Sequence, residues 1–149
     1  MNRYFSKSPL KFGSASVGDR LETLTKRPNQ VDVVRFCSAI RNFHRFHYDQ
    51  EFTVSKGNHG IIVPGFLLGN WCIETVTRSF WPGAEIAELK FRNTATAPID
   101  EDYEVSGEIT SDDADDTNII RCSLTVTQKT TGTIVTTAIV GVRAQSDTS

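Results

Sequence analysis

The sequence has no excess of positive charge and no long hydrophobic run. Lys and Arg number 16 against 18 Asp and Glu, a formal net charge of −2. A domain that binds nucleic acid usually carries a basic stripe, so this balance argues against a nucleic-acid partner. No apolar stretch reaches the ~18 residues of a membrane-spanning helix, which argues against a membrane partner. A chain of 149 residues with 38% hydrophobic residues is long and apolar enough for one folded domain.

Cysteine is also scarce, and the three cysteines do not have the spacing of a metal site. Cys37, Cys72 and Cys122 stand far apart with no C-x-x-C pair. An odd number of separated cysteines favours free thiols in a reducing compartment, so we expect a cytoplasmic protein. The first 18 residues also lack the apolar run of a secretory signal. We expect no metal and no redox cofactor.

Two helices are predicted in the first half of the chain. Asn29 is a candidate N-cap, with Asp32 three residues later, and an apolar stripe follows at helical spacing. The second helix runs from Gly65 to Trp81, where a Pro-Gly pair ends it. Its apolar residues cover more than one face, so it must be buried on most sides. The stripe of the first helix comprises Val33, Phe36, Cys37 and Ile40.

The remainder of the chain alternates apolar and polar residues, the pattern of strands with one buried face. Four such strands after one buried helix predict an α+β fold, an antiparallel sheet curled around a long central helix. The predicted strands are Ala87–Arg92, Tyr103–Thr110, Ile120–Thr127 and a run whose buried face is Ile134, Ala138, Val140 and Val142.

Four aspartates between the second and third predicted strands resemble a metal loop only superficially. A calcium loop needs a mid-loop glycine and a closing glutamate, and both are missing here. We interpret this run as a solvated hairpin loop. Its members are Asp112, Asp113, Asp115 and Asp116.

The segment from Asn42 to Asp49 concentrates groups that can do chemistry. It holds His44 and His47, two of the three histidines in the chain, and Gly65 opens the buried helix further along. A helix N-terminus presents unpaired backbone N–H groups, and glycine lets a ligand approach them closely. An imidazole near such an oxyanion site is the minimum for acyl-group chemistry. The alternative is a histidine that caps a turn by hydrogen bonding to backbone.

These residues resemble the MaoC-like hydratases and dehydratases of the hot-dog fold. That family's pattern runs Asp-x-Asn-Pro-Ile-His-x-Asp, followed by a His-Gly pair at the start of the central helix. The same spacing here gives Asn42, His44, His47 and Asp49, and then Pro64-Gly65. The resemblance extends from the Val-Gly-Asp opening at residues 17–19 to the last strand near residue 142. It implies an N-terminal arm over 1–18, a single hot-dog domain over 19–144 and a C-terminal tail over 145–149.

The resemblance implies a (R)-specific enoyl-CoA hydratase or 3-hydroxyacyl dehydratase. In the family, a carboxylate and a histidine hold one water and add it across the 2,3 double bond of an enoyl thioester. Carried over, His47 is the acid/base, Asn42 takes the carboxylate position, and the Gly65 N–H polarises the thioester carbonyl. His44 and Phe66 join Gly65 as expected substrate-binding residues. The implied partners are an acyl-CoA or acyl-ACP substrate and a second hot-dog chain, identical or different.

Two departures from the family pattern keep alternatives open. Asn42 cannot accept a proton, so it can orient water or substrate but cannot act as the base. Pro64 replaces the family's frequent histidine before Gly65. The chain is therefore either an enzyme with His47 as its acid/base or a substrate-binding subunit beside an active second chain. A thioesterase is a third reading, with Glu74 the only carboxylate on the central helix.

Overall fold

A five-stranded antiparallel sheet and one long helix form the body of the protein in a computed structural model, which describes residues 9–111 and 118–144. The sheet order is β1-β3-β4-β5-β2, and every neighbouring pair is antiparallel. The fold is therefore α+β, as the sequence predicts. The elements are β1 Leu24–Lys26, α1 Gln30–Ile40, α2 Gln50–Ser55, α3 Gly65–Ser79, β2 Ala84–Asn93, β3 Tyr103–Ser111, β4 Ile120–Gln128 and β5 Ile134–Ala144, with 3₁₀ turns at Phe12–Ser14 and Arg45–His47.

Helix α3 is the centre of the hydrophobic core, and the sheet curls around it. It packs against β2, β3, β4 and β5. Its buried side chains meet the alternating apolar face that the sequence predicts for the strands. The helix ends at Ser79, two residues before the predicted end, because Trp81 precedes a proline and is disfavoured in helical geometry. The core includes Leu68, Trp71, Cys72 and Val76 of α3 with Val105, Leu124, Val126 and Val140 of the sheet.

Helix α1 begins at the predicted cap. Asn29 Oδ1 accepts a hydrogen bond from the Asp32 N–H at 3.0 Å, and Asp32 Oδ2 accepts one from the Asn29 N–H at 3.1 Å. This reciprocal capping box satisfies two amides at the start of the helix. Val33 and Cys37 are the buried members of the predicted apolar stripe. The helix ends at Ile40, and the C-cap residue Arg41, with a φ of 55°, turns the chain into the Asn42 segment.

Strand β5 departs from the predicted alternation at its start. Ile134 is 44% exposed, whereas Val135 and Thr136 are both completely buried. In the pairing of β4 with β5, Thr127 lies opposite Ile134 and Val126 lies opposite Thr136. Val135 has no partner in β4 and is therefore an extra residue in β5. This β-bulge reverses the phase of the alternation. The prediction that Ile134 lies on the buried face is therefore wrong.

The described part of the N-terminal segment packs on the far end of α3. The Leu10 N–H donates to the Ser79 carbonyl oxygen at 2.7 Å, and the Phe12 ring lies 4.9 Å from the Phe80 ring. The acidic run at 112–116 and the predicted tail at 145–149 lie outside the described residues. Within the part of the chain that the structure describes, no helix has both the length and the apolarity needed to cross a membrane.

Candidate active site

His47 is a buried imidazole with one ring nitrogen already engaged. It ends the 3₁₀ turn Arg45–His47, and its side chain is 9% exposed. Its Nδ1 lies 2.9 Å from the Ile62 carbonyl oxygen. Because a carbonyl oxygen can only accept, Nδ1 carries the proton and donates it, which leaves the Nε2 lone pair available in the neutral ring. The same segment is held by a second bond, from the Ile62 N–H to the Phe46 carbonyl oxygen at 3.1 Å.

The surroundings of His47 favour its neutral form. Burial lowers the pKa of His47 below its ordinary value, and the neighbouring His44 lowers it further, whereas the Ile62 carbonyl raises it in part. The two imidazole ring centres are 6.2 Å apart. A neutral imidazole with a free Nε2 can accept a proton at neutral pH, which is the requirement for a general base.

His47 and Gly65 line the same cleft, of ≈ 370 Å³. The wall of the cleft opposite His47 is the segment that follows β2. A hydrogen bond from the Val63 N–H to the Ala97 carbonyl oxygen, at 2.7 Å, joins the two walls. Among the described residues that line the cleft, none is a carboxylate, so His47 is its one ionisable group. The lining consists of His47, Ile62, Val63, Gly65, Leu68, Asn93, Thr94, Ala95, Thr96 and Ala97.

Gly65 is the first residue of α3. Pro64 occupies the N-cap position and gives the helix no side-chain hydrogen bond. The amides of the first turn are therefore not capped by a side chain, and the positive end of the helix dipole lies at this wall of the cleft. Such a helix start suits an anion or a polarised carbonyl oxygen.

Asn42 and His44 contact the backbone of their own turn and do not line this cleft. Asn42 Oδ1 accepts a hydrogen bond from the His44 N–H at 3.3 Å. His44 caps the following turn, its Nδ1 accepting from the Phe46 N–H at 3.4 Å. The turn-capping alternative thus describes the contacts of both side chains, and the structure does not bring Asn42 together with His47 and Gly65 at the cleft.

Phe66 is 65% exposed and lies outside the cleft, with its ring edge-on to Phe91 at 5.6 Å. Asp49 caps α2 by accepting from the Phe52 N–H at 2.9 Å and pairs with Arg45. The Phe52 amide and then Arg45 hold the pKa of Asp49 below its usual value. Asp49 is therefore a local structural group.

Glu74, the carboxylate that a thioesterase reading would use, is engaged elsewhere. Its two oxygens pair with Lys26 at 2.6 Å and with Arg78 at 2.7 Å. It does not line the cleft that contains His47. This geometry offers no support for hydrolysis by Glu74.

Sequence reasoning did not identify Asn93, which lines the cleft beside His47 and Gly65. It ends β2, and its Oδ1 accepts a hydrogen bond from the Thr136 hydroxyl at 2.8 Å. The one available signal is its position at the end of an alternating strand. Within the described residues, no cluster of three or more His, Cys, Asp or Glu side chains could hold a metal ion.

The overall structure resembles those of hydratases and dehydratases. One chain of the ChsH1-ChsH2 complex from Mycobacterium tuberculosis matches with a TM-score of 0.78 and 22% identity, over 87% of this chain and 98% of that one. The (R)-hydratase from A. caviae involved in PHA biosynthesis has a TM-score of 0.80 and 19% identity, with 88% and 98% covered. The R-hydratase PhaJ1 from Pseudomonas aeruginosa has a TM-score of 0.80 and 18% identity, with 90% and 84% covered.

At these identities the structural likeness establishes the hot-dog fold. No curated protein matches the sequence. Residues 7–100, more than half of the chain, match the profile of the hydroxyacyl-thioester dehydratase type 2 family. The chain therefore belongs to the hydroxyacyl-thioester dehydratase type 2 family, and it has the MaoC-like hot-dog fold.

Proposed function

We propose that this protein catalyses the reversible addition of water across the 2,3 double bond of an enoyl thioester carried by CoA or ACP. The observation that carries the proposal is the pairing of a neutral, buried His47 with the uncapped start of α3 in one cleft. Membership of a hydroxyacyl-thioester dehydratase family supports the same reaction class, a lyase.

His47 is the acid/base of the proposed reaction. In the hydration direction, Nε2 takes a proton from water as the water oxygen bonds to C3. The electron pair of the double bond moves toward the thioester carbonyl, and an enolate forms. The imidazolium then returns its proton to C2, so one water is added and His47 recovers its neutral form. The bond from Nδ1 to the Ile62 carbonyl fixes the tautomer that this sequence of steps requires.

The start of α3 stabilises the negative charge of the enolate. The Gly65 N–H donates to the thioester oxygen, and the helix dipole adds to this stabilisation. Because charge on the oxygen is greatest in the transition state and the intermediate, this interaction lowers the barrier more than it strengthens substrate binding. His44 and Phe66 lie outside the cleft lining, and their proposed role is limited to contacts with the carrier or the acyl chain beyond it.

The first test replaces the proposed acid/base. His47→Ala should lower kcat for hydration of crotonyl-CoA by on the order of 10²–10⁴, because no other ionisable group among the described residues lines the cleft. Loss of the double bond's ultraviolet absorbance measures the rate. His59→Ala removes the third histidine, which is exposed and outside the cleft, and is the matched control. Full activity in His47→Ala would refute the assignment.

A second candidate is a non-catalytic subunit of a heteromeric dehydratase. It is favoured by the absence of a carboxylate from the described lining of the cleft and by Asn42, which stands where the family has an acid. A structural neighbour is described as a complex of two different chains, ChsH1 and ChsH2. In this case the wild type is inactive alone and gains activity only with a second hot-dog chain that retains the Asp and His. An active homo-oligomer excludes this candidate.

We also propose that the protein works as a dimer, with itself or with a second hot-dog chain, in the cytoplasm. The compartment is supported by three free cysteines, each buried and unpaired. The dimer is supported by β2, which has one hydrogen-bonding edge without a partner strand in the described residues.

A further inference from the structure

Asn93 lies directly over the first residue of α3. A Cβ added to Gly65 would overlap the Asn93 side chain, and Nδ2 is the atom it would meet first. Asn93 therefore occupies the space that any residue other than glycine would fill at position 65. Glycine is therefore needed at position 65 because only a residue without a Cβ lets the Asn93 amide approach this closely.

A hydrogen bond from a buried hydroxyl group fixes the orientation of the Asn93 amide. Thr136 is completely buried, and its Oγ1 donates to Asn93 Oδ1 at 2.8 Å. The two residues face each other across β2 and β5. Because the carbonyl end of the amide is held there, the NH₂ end is turned toward Gly65, and none of the described residues accepts a hydrogen bond from Nδ2. Two free donors thus remain at the wall of the cleft.

Regular pairing of β5 with β2 places Thr136 beside Asn93, with no break in register at this end of the two strands. Thr136 lies on the same inward face as Ala138, Val140 and Val142, as strand alternation requires. The bulge against β4 inserts Val135 next to it, so the hydroxyl of Thr136 is held between buried neighbours.

We propose that Asn93 Nδ2 is a second oxyanion donor, which polarises the thioester carbonyl together with the Gly65 N–H, and that Thr136 is its positioning residue. This inference rests on the proposed function for the identity of the substrate as an acyl thioester. Two converging donors with fixed directions stabilise a developing oxyanion better than one, because they need no reorientation as the charge forms.

Kinetics of Asn93 variants test the donor. Asn93→Ala should lower kcat for hydration of crotonyl-CoA by on the order of 10² with little change in KM, because the interaction strengthens in the transition state. Asn93→Asp keeps the bond from Thr136 but loses both donors and adds a negative charge, so its loss should be larger. The Asn93 side chain is exposed, so neither variant removes core packing. Wild-type kcat in both variants overturns the proposal.

Thr136 variants separate positioning from packing. Thr136→Val keeps the shape and loses the hydroxyl, and it should reproduce part of the Asn93→Ala defect in kcat. Thr136→Ser retains the hydroxyl and should restore most of the rate. Thr137→Val is the matched control, because Thr137 is the next residue and is exposed on the other face. An equal loss in Thr136→Val and Thr136→Ser would indicate packing alone and contradict the positioning role.

A spectroscopic readout distinguishes failure of this inference from failure of the proposed function. Butanoyl-CoA labelled with ¹³C at the carbonyl cannot be hydrated, and its carbonyl stretch should move to lower frequency on binding the wild type. Asn93→Ala should reduce that shift. If the wild type shows the Asn93-dependent shift but hydrates no enoyl thioester, the proposed function fails and the donor assignment stands. A bound carbonyl with no shift, or with one equal in both proteins, overturns the assignment whether or not hydration occurs.

Discussion

At the scale of single residues, the reactivity of His47 depends on what surrounds each ring nitrogen. The Ile62 carbonyl fixes the proton on Nδ1, and burial together with His44 disfavours the imidazolium. Burial is the largest of these effects. The result is a base that stays unprotonated at neutral pH and is placed beside a helix start that attracts negative charge.

The lowered pKa of His47 predicts the pH dependence of hydration. The neutral form is the base, so kcat/KM should be constant at neutral pH and fall as pH drops through a pKa below 6.5, the ordinary value for histidine. His44→Asn removes the electrostatic effect of His44 that lowers the pKa of His47, so the acidic limb should move to higher pH. Asparagine is also the residue that the family pattern has at this position, and it retains a capping side chain.

His59→Asn is the control for the pH profile, because His59 does not line the cleft. It should leave the acidic limb where the wild type has it. Stopped-flow rates of crotonyl-CoA hydration between acidic and neutral pH measure the limb. An acidic limb above 6.5 in the wild type would contradict the assignment of the base to His47.

The sequence identified His47 and Gly65 as candidates, and the structure brings both to one cleft. It could not identify Asn93 or Thr136, because their relation depends on the pairing of β2 with β5, two strands that β3 and β4 separate in the chain. Asn42 was predicted from the family spacing alone. Its contact is with the backbone of its own turn, which spacing does not reveal.

At the scale of secondary-structure elements, the strands followed the predicted alternation except near β-bulges. One lies in β5 at Val135, and another lies in β2 between Ile86 and Glu88, where Ala87 is exposed and not on the predicted apolar face. Period-two patterns fix which face a residue takes only while the register is regular. The bulge at Val135 is set by pairing with β4, which lies earlier in the chain. Helix α2 was missed because its six residues are too few for a helical period, although Asp49 supplies its cap.

Stability measurements can test whether the alternation of buried and exposed residues in β5 reverses at Val135. Val135→Ala should lower the free energy of unfolding by about 1–2.5 kcal/mol, because it removes buried methyl groups and leaves a cavity. Ile134→Ala should change it by less than about 0.5 kcal/mol, because Ile134 is largely exposed at the start of the strand. Urea denaturation monitored by tryptophan fluorescence gives both values. A larger loss in Ile134→Ala than in Val135→Ala would mean that β5 alternates regularly, without the bulge.

At the scale of the whole molecule, β2 is the edge strand beside the cleft. It has 10 residues and pairs only with β5 among the described strands, so one row of its backbone groups has no strand partner. Phe66, exposed at the start of α3, packs against Phe91 of this strand. A long open edge next to an exposed aromatic side chain is typical of a surface that another chain covers.

We therefore expect Phe66 to contribute to association. Phe66→Glu should shift the protein from dimer to monomer in sedimentation velocity, because a carboxylate in an apolar interface has no compensating partner. Val54→Glu is the control, since Val54 is 52% exposed on α2, in a different element from the β2 edge. A Phe66→Glu protein that remains dimeric at every concentration would place the interface elsewhere.

Asn93 lies at the end of the open strand, so the proposed oxyanion donor and the proposed dimer edge belong to one element. A chain that pairs along β2 would contact the strand that carries Asn93. If this pairing makes the thioester bind more tightly, thermodynamic reciprocity requires the thioester to tighten the association of the two chains by the same factor. Substrate supply would then regulate how much of the protein is assembled, with no separate regulatory site.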